Sequence, residues 1–179
     1  NLEIIDSVGT GAIQVSSSYN SNNSVYGLYN YSGAKLIFNG GKLNVYKSDA
    51  YKSKTYGVYN GGGILNIGES GGTLSITTPS IESVNYGVYT SNGTTNFYDG
   101  IITGSTNNSI AGSGTVNYPS GYTKKVTDRG DGKEAATLGW ETTASDTLVV
   151  DDSTEYHGQR SGSQGEGWIK QWPIYPPPF

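Results

Sequence analysis

Tyr26-Gly27-Leu28-Tyr29-Asn30 returns as Tyr56-Gly57-Val58-Tyr59-Asn60 and again as Tyr86-Gly87-Val88-Tyr89-Thr90. The interval is the same both times, and Gly33, Gly63 and Gly93 keep it. A short strand-like run follows each of these glycines: Lys35-Leu36-Ile37-Phe38, Ile64-Leu65-Asn66-Ile67 and Thr94-Thr95-Asn96-Phe97. A glycine turn and a second short strand come next: Lys42-Leu43-Asn44-Val45, Thr73-Leu74-Ser75-Ile76 and Ile101-Ile102-Thr103. The middle repeat spends extra residues at its turn, 68–72, and recovers them elsewhere. Residues 9–25 read as the second half of an earlier repeat, with Ala12-Ile13-Gln14-Val15 as its strand.

Each unit thus offers about three short strands separated by Gly, Asn and Ser turns. One unit cannot bury its own apolar face, but stacked units can, by pairing equivalent strands in parallel. The expected fold is all-β, a right-handed parallel β-helix (β-solenoid) with ~30-residue coils and an irregular C-terminal cap and tail. A β-sandwich would show hairpin spacing of roughly 8–12 residues without so sharp an echo. Strand alternation places Leu28 inward together with Tyr26, and Gly27 and Tyr29 outward. Leu43 with Val45 and Leu74 with Ile76 are expected inward pairs.

Composition agrees with this reading. Gly, Ser, Thr and Asn make up nearly half of the 179 residues, and Tyr alone contributes 15. Such a chain is short of the residues that build long amphipathic helices. Aromatics at 12% are too many for a solvated disordered tract. Cysteine is absent, which excludes disulfides, thiol nucleophiles and thiolate metal sites. Methionine is absent too, as expected of a processed chain or a fragment. No apolar run is long enough to span a bilayer. The net charge of −4 argues against a nucleic-acid partner, which would need a basic stripe.

The Tyr-Gly-Val-Tyr-Asn motif, the Gly-x-Leu-x-Ile runs and Asn96-Phe97-Tyr98-Asp99-Gly100-Ile101-Ile102 resemble β-helical repeats of Gram-positive bacterial surface proteins. The resemblance covers roughly residues 9–122, including Tyr118-Pro119-Ser120-Gly121-Tyr122. It implies an adhesin-like or wall-associated stalk at the cell surface, extracellular and without assigned activity. The Asp clusters and Arg/Lys sets of pectin lyases, polygalacturonases and phage tailspikes do not appear.

The last third differs. The solenoid repeats are expected over 1–117, a C-terminal cap over 118–157, and a linker with an aromatic, Pro-rich tail over 158–179. Residues 118–179 carry 6 of the 11 basic and 9 of the 15 acidic residues, and 126–138 reads as polar. A solenoid end exposes unpaired backbone and needs covering. The tail residues Trp168, Ile169, Trp172, Ile174, Tyr175 and Phe179 are candidate docking groups, on the chain's own body or on a neighbouring subunit. Pro176-Pro177-Pro178 favours a polyproline II conformation there.

Candidate chemistry is sparse. His157 is the one histidine, so a metal site or a Ser-His-Asp triad has little support, and no cofactor is expected. Asp128, Asp131 and Glu134 faintly suggest a calcium loop, but EF-hand spacing is not met, and a turn with solvated charges reads better. Glu69 and Asp99 are separated by the repeat interval and could meet on adjacent coils as a carboxylate pair. Arg129-Gly130-Asp131 matches the integrin-binding tripeptide, and Asn22, Asn30, Asn92 and Asn107 each begin a glycosylation triplet. The most informative candidates are Tyr29, Tyr59 and Tyr89, expected to stack in one outward column. Such a column stabilises the stack, or it offers a platform for a glycan. The leading expectation is a non-enzymatic structural or adhesive protein that associates with itself or with neighbouring solenoid segments. A carbohydrate-binding module is second and a polysaccharide-lyase-like fragment third.

Overall fold

The computed structural model describes residues 1–17, 23–47, 54–68 and 77–140. Every regular element among them is a β-strand. The chain makes four passes of three strands each. They are β1 (Leu2–Ile4), β2 (Ala12–Ser17) and β3 (Val25–Asn30), then β4 (Lys35–Phe38), β5 (Lys42–Lys47) and β6 (Thr55–Asn60). Next come β7 (Ile64–Ile67), β8 (Ser80–Ser83) and β9 (Tyr86–Thr90), then β10 (Thr94–Phe97), β11 (Ile101–Ser105) and β12 (Ile110–Gly112). Strand β13 (Thr115–Asn117) and a hairpin of β14 (Tyr122–Asp128) and β15 (Lys133–Trp140) follow.

Strands pair with their counterparts on the next pass, not with their neighbours in sequence. The sheet orders are β1-β4-β7-β10-β13, β14-β15-β11-β8-β5-β2 and β12-β9-β6-β3. Every pairing is parallel except β11–β15 and β14–β15. The register makes columns of like residues: Phe38, Ile67 and Phe97 in one sheet, Leu43, Ile81, Ile102 and Ala136 in the second, Val58, Val88 and Ile110 in the third. These residues form one apolar core, most of them with no exposed surface. The expected inward pair Leu43 and Val45 is buried.

Three expectations need correcting. First, the strand of the middle pass in register with β5 is Ser80–Ser83, and the strand expected at 73–76 lies outside the described residues. Leu43 is in register with Ile81, so Ile81 supplies the core position expected of Leu74. Residues 68–79 join β7 to β8 where 39–41 suffice between β4 and β5, and the short joint at 84–85 restores the interval. The pair Leu74 and Ile76 lies outside the described residues.

Second, Tyr26 faces out and Gly27 faces in. A Cβ on Gly27 would lie 2.6 Å from both the Gly57 carbonyl oxygen and Val45 Cγ2. The same holds at Gly57, against the Gly87 carbonyl oxygen (2.4 Å) and Ile81 Cγ2 (2.5 Å). The pairing ladder skips the glycine on each strand, so simple alternation breaks at that residue. The glycine lets two layers approach to backbone contact, and in β3 Tyr26 and Tyr29 are both exposed.

Third, the irregular cap begins as a regular hairpin. Strand β15 buries alternate residues, Glu134, Ala136 and Leu138, and pairs antiparallel with β11. That alternation is legible in Lys-Glu-Ala-Ala-Thr-Leu, but the charges and small residues mask it. The hairpin covers one edge of the second sheet, and Ala136 and Leu138 join the core beneath it. Lys133 Nζ to Glu82 Oε1 (2.7 Å) ties its tip to β8.

Candidate functional site

The strands β3, β6 and β9 present two columns of tyrosine side by side. Tyr26, Tyr56 and Tyr86 stack at ring-centroid distances of 5.0 and 4.9 Å, with interplanar angles of 13° and 9°. Tyr29, Tyr59 and Tyr89 stack at 5.0 and 5.5 Å, both at 18°. Across the columns the rings meet edge to face at 5.1–5.6 Å. Tyr31 covers the outer face of Tyr29 at 6.2 Å. Strand spacing of about 4.8 Å sets this geometry, because it brings equivalent side chains to ring-stacking distance.

Tyr29, Tyr59 and Tyr89 therefore form the outward column that the repeat leads one to expect. The second column escapes strict alternation. Its signal is the glycine between the two tyrosines, which breaks the alternation. Exposure falls inward along the array, from 67% at Tyr31 and 51% at Tyr29 to 8% at Tyr56. Inside the columns the ring faces are spent on one another, whereas the end rings Tyr26, Tyr86 and Tyr89 each have one stacking partner. A sugar stacking on an aromatic face finds little free face within the columns. The Lys54 ammonium lies 5.6 Å from the Tyr86 ring centroid, and Tyr86 foremost holds that amine above its ordinary pKa. Burial against its neighbours, with the phenols of Tyr59, Tyr26 and Tyr31, raises the Tyr29 hydroxyl.

Polar ladders run along the stack, one buried and one more exposed. Asn30 Nδ2 donates to Asn60 Oδ1 and to the Ile64 carbonyl, both at 3.0 Å. Asn60 Nδ2 donates to the Thr94 carbonyl at 3.0 Å, and Thr90 and Thr95 join their hydroxyls at 2.7 Å. Asn66, Asn96 and Asn117 form a second ladder, at 2.8 and 2.9 Å. The first ladder satisfies the backbone carbonyls of Ile64 and Thr94 at the corner between sheets. The regular spacing of Asn30 and Asn60 is visible in the sequence, but nothing there sets them apart from turn residues.

The acidic groups are occupied structurally. Asp6 accepts from the amides of Val8, Gly9 and Gly11 and from the Thr77 hydroxyl. Glu134 accepts from the Asn107 and Ser109 amides and from the Ser109 hydroxyl. The turn preferred over a calcium loop forms at Asp128 and Asp131, but Glu134 is buried rather than solvated. Asp128 caps the Gly130 amide, Asp131 accepts from the Lys133 amide, and Glu134 turns inward. Arg129-Gly130-Asp131 forms the exposed hairpin tip, where Arg129 lies 3.8 Å from Asp131 and 3.6 Å from Glu82. Asn30 is buried, which leaves its glycosylation triplet inaccessible, whereas Asn92 and Asn107 are exposed. Asn22, Glu69, His157 and the tail groups Trp168, Ile169, Trp172, Ile174, Tyr175 and Phe179 lie outside the described residues, so the expected Glu69–Asp99 meeting has no geometry here. Among the described residues, one shallow pocket of about 270 Å³ lies between β1, β3 and β4, with Tyr29 in its wall, and another of about 260 Å³ lies between β1, β2 and the turn from β4 to β5. Both are smaller than the ~300–1,000 Å³ typical of small-molecule sites.

Asp6 and Glu134 give a pH prediction. Burial raises each carboxyl's pKa, but the hydrogen bonds outweigh it and both end below their ordinary values. A depressed folded-state value stabilises the fold above the unfolded-state pKa, and the contribution is lost as pH falls through the folded one. Stability in urea is therefore expected to drop as pH falls below about 4. Glu134→Gln is expected to flatten that drop while lowering stability at pH 7. An unchanged acid limb in Glu134→Gln would remove Glu134 from this account.

No family model matches this chain, and no curated protein or solved structure gives a significant match.

Proposed function

We propose that the chain is a right-handed parallel β-helix and that it serves as a non-enzymatic structural or adhesive segment of an extracellular surface protein or fibre. The observation that carries this reading is the repeated register. The same three sheets gain one strand per pass, and Tyr, Asn and aliphatic columns align along the stack. Such a fold extends by repetition and puts its side-chain chemistry into reinforcing neighbouring strands. The acidic side chains tied into turns and edges support the non-enzymatic part, since Asp6, Glu82 and Glu134 each hold structure. Self-association of the tail, residues 158–179, with the chain's own body or another copy completes the proposal.

Light scattering and negative-stain microscopy on the full chain and on a chain ending at Tyr156 test it. The expected result is filaments or defined oligomers from the full chain and monomers from the shorter one. Monomers from both would remove the fibre-subunit reading.

A further inference from the structure

We propose that the tyrosine array is a site of oxidative cross-linking, at which hydrogen peroxide and a haem peroxidase join tyrosines of adjacent strands as dityrosine. The inference is independent of the fibre reading, because it concerns ties within one chain.

Three observations carry it. Seven phenols, at positions 26, 29, 31, 56, 59, 86 and 89, form one continuous contact network with centroid separations of 4.9–6.2 Å. The register holds Tyr29 against Tyr59 and Tyr59 against Tyr89, so phenoxyl radicals formed on neighbours need no diffusion to meet. The outer members are open to an oxidant, with Tyr29 51% and Tyr31 67% exposed. The chain also lacks cysteine and methionine, the two side chains that would otherwise consume the oxidant first.

The step balances. Each of two phenols loses its hydroxyl hydrogen as an electron and a proton. The two phenoxyl radicals form one carbon–carbon bond between ring positions ortho to the hydroxyls. The hydrogens displaced from those carbons return to the oxygens. Hydrogen peroxide accepts the two electrons and two protons and leaves as two waters. The product ties together strands that are a full pass apart in sequence, which restricts the unfolded chain as a disulfide would.

The test treats the full chain, dilute, with peroxidase and hydrogen peroxide. It reads dityrosine emission, apparent mass and cross-linked peptides. The expected result is a monomer whose cross-links join Tyr29 to Tyr59, Tyr59 to Tyr89 or Tyr26 to Tyr56, with a raised melting temperature. A chain carrying phenylalanine at all six column positions keeps ring stacking and should lose most of the emission. Its circular dichroism checks that it has folded. Tyr46 and Tyr98, exposed and outside the array, are internal controls. Cross-links that fall on Tyr46 and Tyr98 as often as on the columns, or emission that survives in the six-phenylalanine chain, would overturn the proposal. Cross-links confined to pairs between molecules would overturn it as well.

Discussion

Gly57→Ala is expected to destabilise the chain by about 3 kcal/mol. The added Cβ would fall 2.4 Å from the Gly87 carbonyl oxygen and 2.5 Å from Ile81 Cγ2. The first neighbour is backbone, flanked by the paired Tyr86 and Val88 and tied through its own amide to the Asn108 carbonyl, and cannot step aside without shifting β9. The second is a fully buried core side chain. Gly33→Ala supplies the contrast. Gly33 has φ +79° and nothing within 4 Å of a Cβ, so its cost is the left-handed backbone alone, about 1–2 kcal/mol. Urea unfolding of the two variants measures the difference. Equal midpoints would show that the layers do not approach as closely as described.

Asn60→Leu is expected to cost about 2–4 kcal/mol. Asn60 has no exposed surface, accepts from Asn30 and donates to the Thr94 carbonyl. Leucine has a similar volume but leaves the Thr94 carbonyl without that donor and removes one of the two acceptors of Asn30. Asn96→Leu, in the more exposed ladder, should cost less than half as much, because water can replace its partners. Matching losses from the two substitutions, measured in urea, would contradict the buried-ladder assignment.

The architecture is legible in the sequence because its signal is a repeat. Nearly identical pentapeptides at a constant interval force equivalent residues into equivalent environments, and Val58 and Val88 duly share one column. The finer departures have physical causes. Thr73-Leu74-Ser75-Ile76 alternates more strongly than Ser80-Ile81-Glu82-Ser83, yet it is the latter that pairs with β5. Parallel registry depends on which residues line up, and local pattern does not report that. Tyr26 faces opposite to expectation because strict alternation cannot be carried through the glycine that breaks it. Glu134 reads as a solvated turn charge, yet it is buried against Ser109, 25 residues away. Its partners are backbone amides at Asn107 and Ser109, which no side-chain motif advertises. Of the candidate site, the Tyr29, Tyr59 and Tyr89 column is visible in sequence, whereas the edge-to-face contacts that brace it come from the second column, which strict alternation hides.

The central claim is parallel pairing across passes. Nuclear Overhauser contacts between backbone protons of the isotope-labelled chain test it most directly. The account predicts parallel-strand contacts linking Leu36 with Leu65, Leu65 with Thr95, and Tyr29 with Tyr59, and antiparallel contacts where β15 meets β11 and β14. Antiparallel Hα–Hα contacts between strands consecutive in sequence, such as β9 with β10, would describe hairpins instead and would contradict it.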